Sequence, residues 1–367
     1  MRRLALAAMV AVGFGGWATP ALAWGEQGHA AVCELAYRNL TPTSRAGLVD
    51  LFKAWSARNG MAWRGTRNED LLYHRFMNSC IFEDVVKRRG ELARFKDQAG
   101  HFVNYPRTRL TVADGDSLCP PKPNGSAVKC IFNVLGRDLA VFRNPINDPG
   151  ERAEALIGIG HWLGDIHQPL HVSFADDLGG NTINVTGPCG TTNLHSVWDK
   201  CLVMKGLWNP IRLAMPSSRR PRLDANPRTI AYRLVDKWRR SESQPQVKAE
   251  VMGWMAQTQP WQWAQESYTE TLATGIGPGP RWTITEYCFK RADRCDYDEQ
   301  APVYVDGAAP RQLTLPADYV TRYAPVAETR LRQAGYRLAW IINSTLDQGW
   351  NHQLPTCSVS LGTCPDT

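Results

Sequence analysis

The chain has only eight histidines, and five of them, His29, His101, His161, His171 and His195, are the residues most able to do chemistry. In His161-Trp-Leu-Gly-Asp165 and in His195-Ser-Val-Trp-Asp199, an imidazole is followed four positions later by a carboxylate, which on a helix places both on one face. Such a pair chelates a borderline-soft divalent ion, zinc above all, which takes both donor types at about 2.0–2.2 Å. One pair alone is usually a surface hydrogen bond. Two pairs, with His171 close behind the first, point to a metal centre. Pro169 interrupts the helix after Asp165, so His171 leaves helical phase and can turn back toward the same cavity. His167 lacks a comparable partner and reads as a supporting or core histidine; His74 and His352 read as structural or surface residues.

The elements that must position these groups are mainly helical. Apolar residues recur at threes and fours in Ala30–Leu40, Arg45–Ala57, Val134–Phe142, Ala153–Ile166, Ile230–Trp238, Ala249–Met255 and Glu328–Leu346. Pro42 and Thr43 mark a helix start, and Pro145-Ile-Asn-Asp-Pro-Gly150 reads as a loop feeding the helix that carries His161. Asp177-Leu-Gly-Gly-Asn181, followed by the β-branched run Thr182–Thr186, predicts a short hairpin projecting from the bundle. The stretch 275–316 is rich in Gly and Pro and reads as a surface excursion within one domain that runs from 24 to 367.

Residues 1–23 read as a secretory signal peptide: Arg2 and Arg3 precede an apolar run, and Ala21-Leu-Ala23 supplies small residues for cleavage before Trp24. The run is shorter than the ~20 apolar residues a membrane span requires. A secreted or periplasmic, soluble and monomeric protein is expected. All ten cysteines follow the cleavage site and read as disulfides; Cys119/Cys130, Cys189/Cys201, Cys288/Cys295 and Cys357/Cys364 are close enough to staple loops, although spacing does not fix connectivity. No CxxC pair occurs, which argues against cysteine-bound zinc. The net charge of +7 falls to +5 once Arg2 and Arg3 are removed, a value that permits a polyanionic substrate without requiring one. The densest basic stretch, Arg219-Arg-Pro-Arg222 with Lys237, Arg239 and Arg240 beyond it, reads as solvated surface. Asn124, Asn184 and Asn343 head glycosylation sequons.

Six segments in order carry a family resemblance: Trp24-Gly-Glu-Gln-Gly-His29, His101-Phe-Val-Asn-Tyr-Pro106, His161-Trp-Leu-Gly-Asp165-Ile-His-Gln-Pro-Leu-His171, Asp177–Asn181, Asn193-Leu-His195-Ser-Val-Trp-Asp199 and Ala334-Gly-Tyr-Arg-Leu-Ala339. In these the chain resembles the zinc-dependent type I nucleases of fungi and plants, with bacterial relatives, the S-one/P-one class. The resemblance implies a mainly α fold of the phospholipase C/nuclease type and an enzyme that cuts single-stranded DNA and RNA to 5′-nucleotides and 3′-nucleotides to nucleosides. It also implies three zinc ions. One would take Asp84, His101, His161 and the shared Asp165; a second the α-amine and carbonyl of Trp24 with His29 and Asp165; the third His171, His195 and Asp199. Asp70 is the alternative to Asp84, whose spacing to His101 is nearer the family pattern. Two zincs sharing Asp165 would hold a bridging hydroxide, because coordination lowers the pKa of water to about 7.

Two departures from the pattern bear on substrate. Lys87 stands where the family places an Arg to steady the phosphate, keeping the charge without the bidentate fork. Asn104 stands where several relatives carry Asp in the base pocket, beside Phe102, which is either a stacking platform or a core residue. The nearest rival is a zinc-dependent phospholipase C, which resembles this pattern but puts Glu at the position of Asp199. A non-catalytic nucleic-acid or zinc binder is the rival from another class, and the filled ligand positions argue against it.

Overall fold

The computed structural model describes residues 24–63, 68–89, 98–106, 109, 111–112, 118–120, 129–175, 177–273, 290–291, 294–295 and 311–352. The signal segment, most of the 275–316 stretch, the sequon at Asn124 and the expected Cys357/Cys364 pair lie outside the described residues, as does the side chain of Cys295.

Helix starts are set by local chemistry. Thr41 caps α2 (Pro42–Arg58) by accepting from Ser44 N at 3.1 Å, and Asp148 caps α6 (Pro149–Ile166) by accepting from Glu151 N at 3.1 Å, each with proline at the first helical position. Pro149 and Gly150 therefore open the helix; they do not close the loop before it. α6 is buried on every side from Ala155 to Ile166, as expected of a helix with no polar stripe. It packs against α5 (Ile131–Arg143) and α2. The first helix, α1 (Gly25–Arg38), lies equally deep against α9 (Pro227–Arg239) and the long C-terminal helix α12 (Tyr319–Leu346). The buried apolar residues form one connected cluster running from Trp24 to Ile342.

Shorter elements complete the frame. Helices α3 (Asn68–Ser79) and α4 (Phe82–Arg89) follow α2, and α10 (Pro245–Ala256) and α11 (Pro260–Ala273) follow α9. Strand β1 (Val103–Tyr105) pairs in parallel with β2 (Val172–Phe174). The expected hairpin is present, one step later than the glycine loop suggests: β3 (Ile183–Thr186) turns back onto β4 (Thr192–Asn193). Beyond the short antiparallel pair β5 (Lys290–Arg291) and β6 (Arg294–Cys295), β7 (Arg311–Thr314) adds to β3 in parallel, tying the end of the 275–316 stretch to the hairpin. After a short turn of helix α7 (Leu194–Ser196), the chain enters a π-helix, Val197–Trp208, which continues as α8 (Asn209–Ala214).

Three disulfides are described: Cys119–Cys130, Cys189–Cys201 and Cys33–Cys80, the last bridging α1 to the end of α3 across 47 positions. They suit an oxidising compartment. No helix among the described residues is long and apolar enough to cross a membrane. Asn343 is fully buried, its amide bonded to Asn39 O and its Oδ1 to Thr41 N, so its sequon is out of reach of a glycosyl group in the folded protein.

Candidate metal centre

Seven separate elements deliver the buried imidazoles and carboxylates to one place. His29 comes from α1, Asp84 from the first turn of α4, His161 and Asp165 from the end of α6. His101 and His171 each close a 3-10 turn just before β1 and β2, and the parallel register Val103 to Val172 sets them side by side. His195 stands on α7 and Asp199 in the first turn of the π-helix. The four-residue spacing of that last pair therefore acts across a wider helical turn than the α-helical one expected. All eight of these side chains are at least 95 % buried.

Asp165 is the hub. Its Oδ1 lies 3.3 Å from His29 Nε2 and 3.9 Å from His171 Nδ1, while its Oδ2 lies 3.0 Å from His101 Nδ1 and 3.3 Å from His161 Nε2. His161 Nε2 is 3.8 Å from Asp84 Oδ1, and its ring stacks on that of His29 at 4.1 Å. That approach needs Gly164: a Cβ there would fall 2.5 Å from His29 Nδ1. On the other side, His195 Nε2 is 3.4 Å from Asp199 Oδ2 and 3.0 Å from His171 Nε2. The donor atoms form three groups, each within 4.8 Å: His29, Asp84, His161; His101, His161, Asp165; and His171, His195, Asp199. The third group coincides with the set expected from the resemblance, whereas Asp84 falls together with His29 and His161.

The tautomers show what these groups suit. The Nδ1 atoms of His161, His171 and His195 bond to the carbonyls of Cys80, His101 and Gly179 at 2.7, 2.5 and 2.6 Å. A carbonyl only accepts, so each Nδ1 carries a proton and Nε2 is the nitrogen turned inward, where it can hold a second proton or a metal ion. At His171 and His195 the two Nε2 atoms face each other at 3.0 Å, an approach that needs a proton or a metal ion between them. The field agrees. Burial alone would lower the His161 pKa, but Asp165 and Asp84 outweigh it and lift it to about 9. Burial opposes charge on Asp165 too, yet His161, His171 and His101 hold its carboxyl well below the usual range. His29 moves down, through burial and then the neighbouring His161. The donors thus fit positive charge and, as a nitrogen-and-oxygen set with no thiolate, fit zinc.

Supporting groups lie one bond further out. Gln168, invisible as a functional residue in the sequence, donates from Nε2 to Asp199 Oδ1 at 2.7 Å and accepts from Leu170 N at 2.5 Å. The Asp177–Asn181 loop holds the Gly179 carbonyl against His195; Gly179 has φ 63°, and a Cβ on it would strike Leu170 O at 2.3 Å. His167 takes the supporting place expected of it, with Nε2 at 2.6 Å from Arg337 and its ring on Trp263. Arg337 belongs to the Ala334–Ala339 segment and, with Arg330, binds Glu266.

Trp24 is wholly buried at the start of α1, in a left-handed conformation, and its indole donates to Gly164 O at 2.8 Å, beside Asp165. Phe102 is no core residue: it is 38 % exposed, next to His101. Asn104, in β1 opposite Ser173, is half-buried, and its Oδ1 accepts no hydrogen bond from the described residues. Lys87 lies on α4 one turn after Asp84, its side chain outside the described residues. The side chain of Asp70 is likewise outside them.

A mainly helical domain with clustered, buried imidazoles and carboxylates defines a class of metal-dependent proteins. The S1/P1 nuclease family model matches residues 24–347, and the chain belongs to that family. Among its relatives, Endonuclease 3 of Arabidopsis thaliana is 27% identical over 330 residues, 88% of this chain and 89% of that protein. Endonuclease 2 of the same plant is 28% identical over 182 residues, 49% of this chain and 56% of its own length. Nuclease S1 of Aspergillus oryzae is 51% identical over 49 residues, 13% of this chain and 17% of that protein.

Proposed function

We propose that the protein is an exported, zinc-dependent nuclease and 3′-nucleotidase, released as a soluble monomer after cleavage between Ala23 and Trp24. It hydrolyses single-stranded DNA and RNA to 5′-nucleotides, and 3′-nucleotides to nucleosides. The single observation that carries this reading is the facing pair of inward Nε2 atoms on His171 and His195, beside Asp199, within a family of nucleases.

Three zinc ions would be held, the first by Asp84, His101, His161 and Asp165, the second by Trp24, His29 and Asp165, the third by His171, His195 and Asp199. When bound they supply hydroxide at neutral pH and Lewis-acid stabilisation of charge on the phosphate and the departing oxygen. Asp165 sets the spacing of the first two sites through its two oxygens. Lys87 pairs with a phosphate oxygen as a point charge. The exposed ring of Phe102 stacks on a base, and Asn104 Oδ1, buried and without a hydrogen bond from the described residues, turns to accept from the base edge. Processing belongs to the same argument: only cleavage gives Trp24 an α-amine, whose pKa of about 7.7–8.0 lets it bind metal near neutrality.

The test is metal analysis of the processed protein, with hydrolysis of denatured DNA and 3′-AMP before and after chelation. Three zincs per chain and chelator-sensitive release of 5′-nucleotides and adenosine are expected. Unimpaired hydrolysis by metal-free protein, or cleavage of phosphatidylcholine but of neither nucleotide substrate, would overturn the proposal.

A further inference from the structure

A second charged feature lies outside the metal centre. The far end of the π-helix, with α8 on one side and α9 on the other, faces the N-terminal half of α12 across a groove of about 400 Å³. Lys205, Lys237 and Arg332 line it against a single carboxylate, Glu328. Elsewhere in the basic stretch, Arg222 pairs with Asp224, Arg239 with Glu242 and Arg240 with Asp236, each at 3.0 Å, while Arg220 donates to the carbonyls of Leu213 and Met215. Positive charge is left over in the groove.

Neither lysine is fixed by a buried ion pair, whereas Arg332 lies over the Trp254 ring at 5.3 Å. Lys237 reaches Glu328 at 3.3 Å through an exposed pair, an interaction of about 0–1 kcal/mol that a phosphate can displace. Lys205 Nζ donates to Pro188 O at 2.7 Å, leaving its charge without a counter-ion in that contact. Pro325, inside α12, has no N–H to offer Thr321 O, and both residues line the groove. The π-helix that ends beside the groove carries Asp199 in its first turn, so groove and metal centre share one element.

We infer that this groove binds phosphate groups of a single-stranded polynucleotide whose cleaved end lies at the metal centre. The inference rests on the nuclease reading and adds a contact that a mononucleotide is too short to make.

The double variant Lys205→Glu/Lys237→Glu tests it, both residues lying at the surface. Turnover of 3′-AMP and of an oligothymidylate of about 12 nucleotides, a length in the range single-strand sites accommodate, is followed against salt. Losing two phosphate contacts should lower the salt slope of oligomer KM by about 1.4. Between about 50 and 200 mM salt the wild-type advantage should therefore shrink about sevenfold. KM and kcat for 3′-AMP should not move, and Lys205→Arg/Lys237→Arg should behave as wild type. An unchanged oligomer KM and salt slope would overturn the inference, as would an equal change with 3′-AMP, which would place the effect at the metal centre. If wild-type protein does not hydrolyse the oligomer, the nuclease reading fails instead; fluorescence anisotropy of the labelled oligomer on the two proteins then decides the groove separately.

Discussion

Gln168→Leu removes the side-chain support of the third metal group, two hydrogen bonds of which one reaches a ligand. Leucine keeps nearly the same volume but removes the amide that donates to Asp199 Oδ1 at 2.7 Å and the oxygen that accepts from Leu170 N at 2.5 Å. A hydrogen bond to a charged group contributes about 1.5–3 kcal/mol, and loss of a partner outside the ligands weakens metal binding by about 10–100-fold, or roughly 1.4–2.7 kcal/mol. The two magnitudes agree, so the variant should bind one of its ions about 10–100-fold more weakly. The other two should be retained, because the Gln168 side chain bonds to Asp199 and Leu170 and not to the side chains of Asp165 or His29. Competition against a chromophoric zinc chelator reads each affinity, with circular dichroism to establish folding. A folded Gln168→Leu protein that binds all its ions as tightly as wild type would refute the reasoning.

The remaining expectations are simpler. Asp165→Ala should abolish hydrolysis of 3′-AMP and lower zinc content by at least one ion per chain, since every contact in the hub passes through its two oxygens; a folded, fully active variant would rule out a shared carboxylate. A processed protein beginning one residue early, at Ala23, should lose one zinc and most of its activity with every side chain in place, as mass spectrometry and metal analysis would show; equal zinc and equal turnover would exclude the Trp24 amine. Glu266→Gln should lower Tm at neutral pH by at least about 5 °C, because it breaks a largely buried ion pair. Burial raises the Glu266 carboxyl, but Arg337 and Arg330 outweigh it and hold it below its ordinary value. That stabilisation is complete above the unfolded value of about 4.3 and disappears as pH falls through the folded one, so the Tm gap between wild type and variant should close in acid. A gap independent of pH would contradict the ion-pair account.

The donors of the metal centre were legible because a ligand must be a particular residue type, and the spacing of His161 to Asp165 and of His195 to Asp199 survives in the fold. Cys119–Cys130 and Cys189–Cys201 were legible as short loops; Cys33–Cys80 was not, since contact across 47 positions leaves no local trace. The π-helix was hidden because a spacing of four brings His195 and Asp199 together in either kind of turn. Gln168 was hidden within a recognised string, as its role depends on Asp199 coming to it from a distant element.

The least legible helix shows why polar residues disguise a period. α11 buries Ser267 and Thr271 alongside Trp263, Ala264 and Tyr268, so its inner face does not read as apolar. The reason lies at the end of α6. Pro169 stops that helix so that His171 can turn back, and stopping it frees carbonyls that a continuing helix would have satisfied. Ser267 Oγ donates to Ile166 O at 2.6 Å, Thr271 Oγ to Pro169 O at 2.8 Å, and Arg330 Nε to His167 O at 3.2 Å. Arg330 in turn is held by Glu266 on α11. The break that brings His171 into the metal centre is thus stabilised from behind by hydroxyls and a guanidinium from α11 and α12. What looks like weak amphipathicity in α11 is the counterpart of the sharp turn that places a ligand.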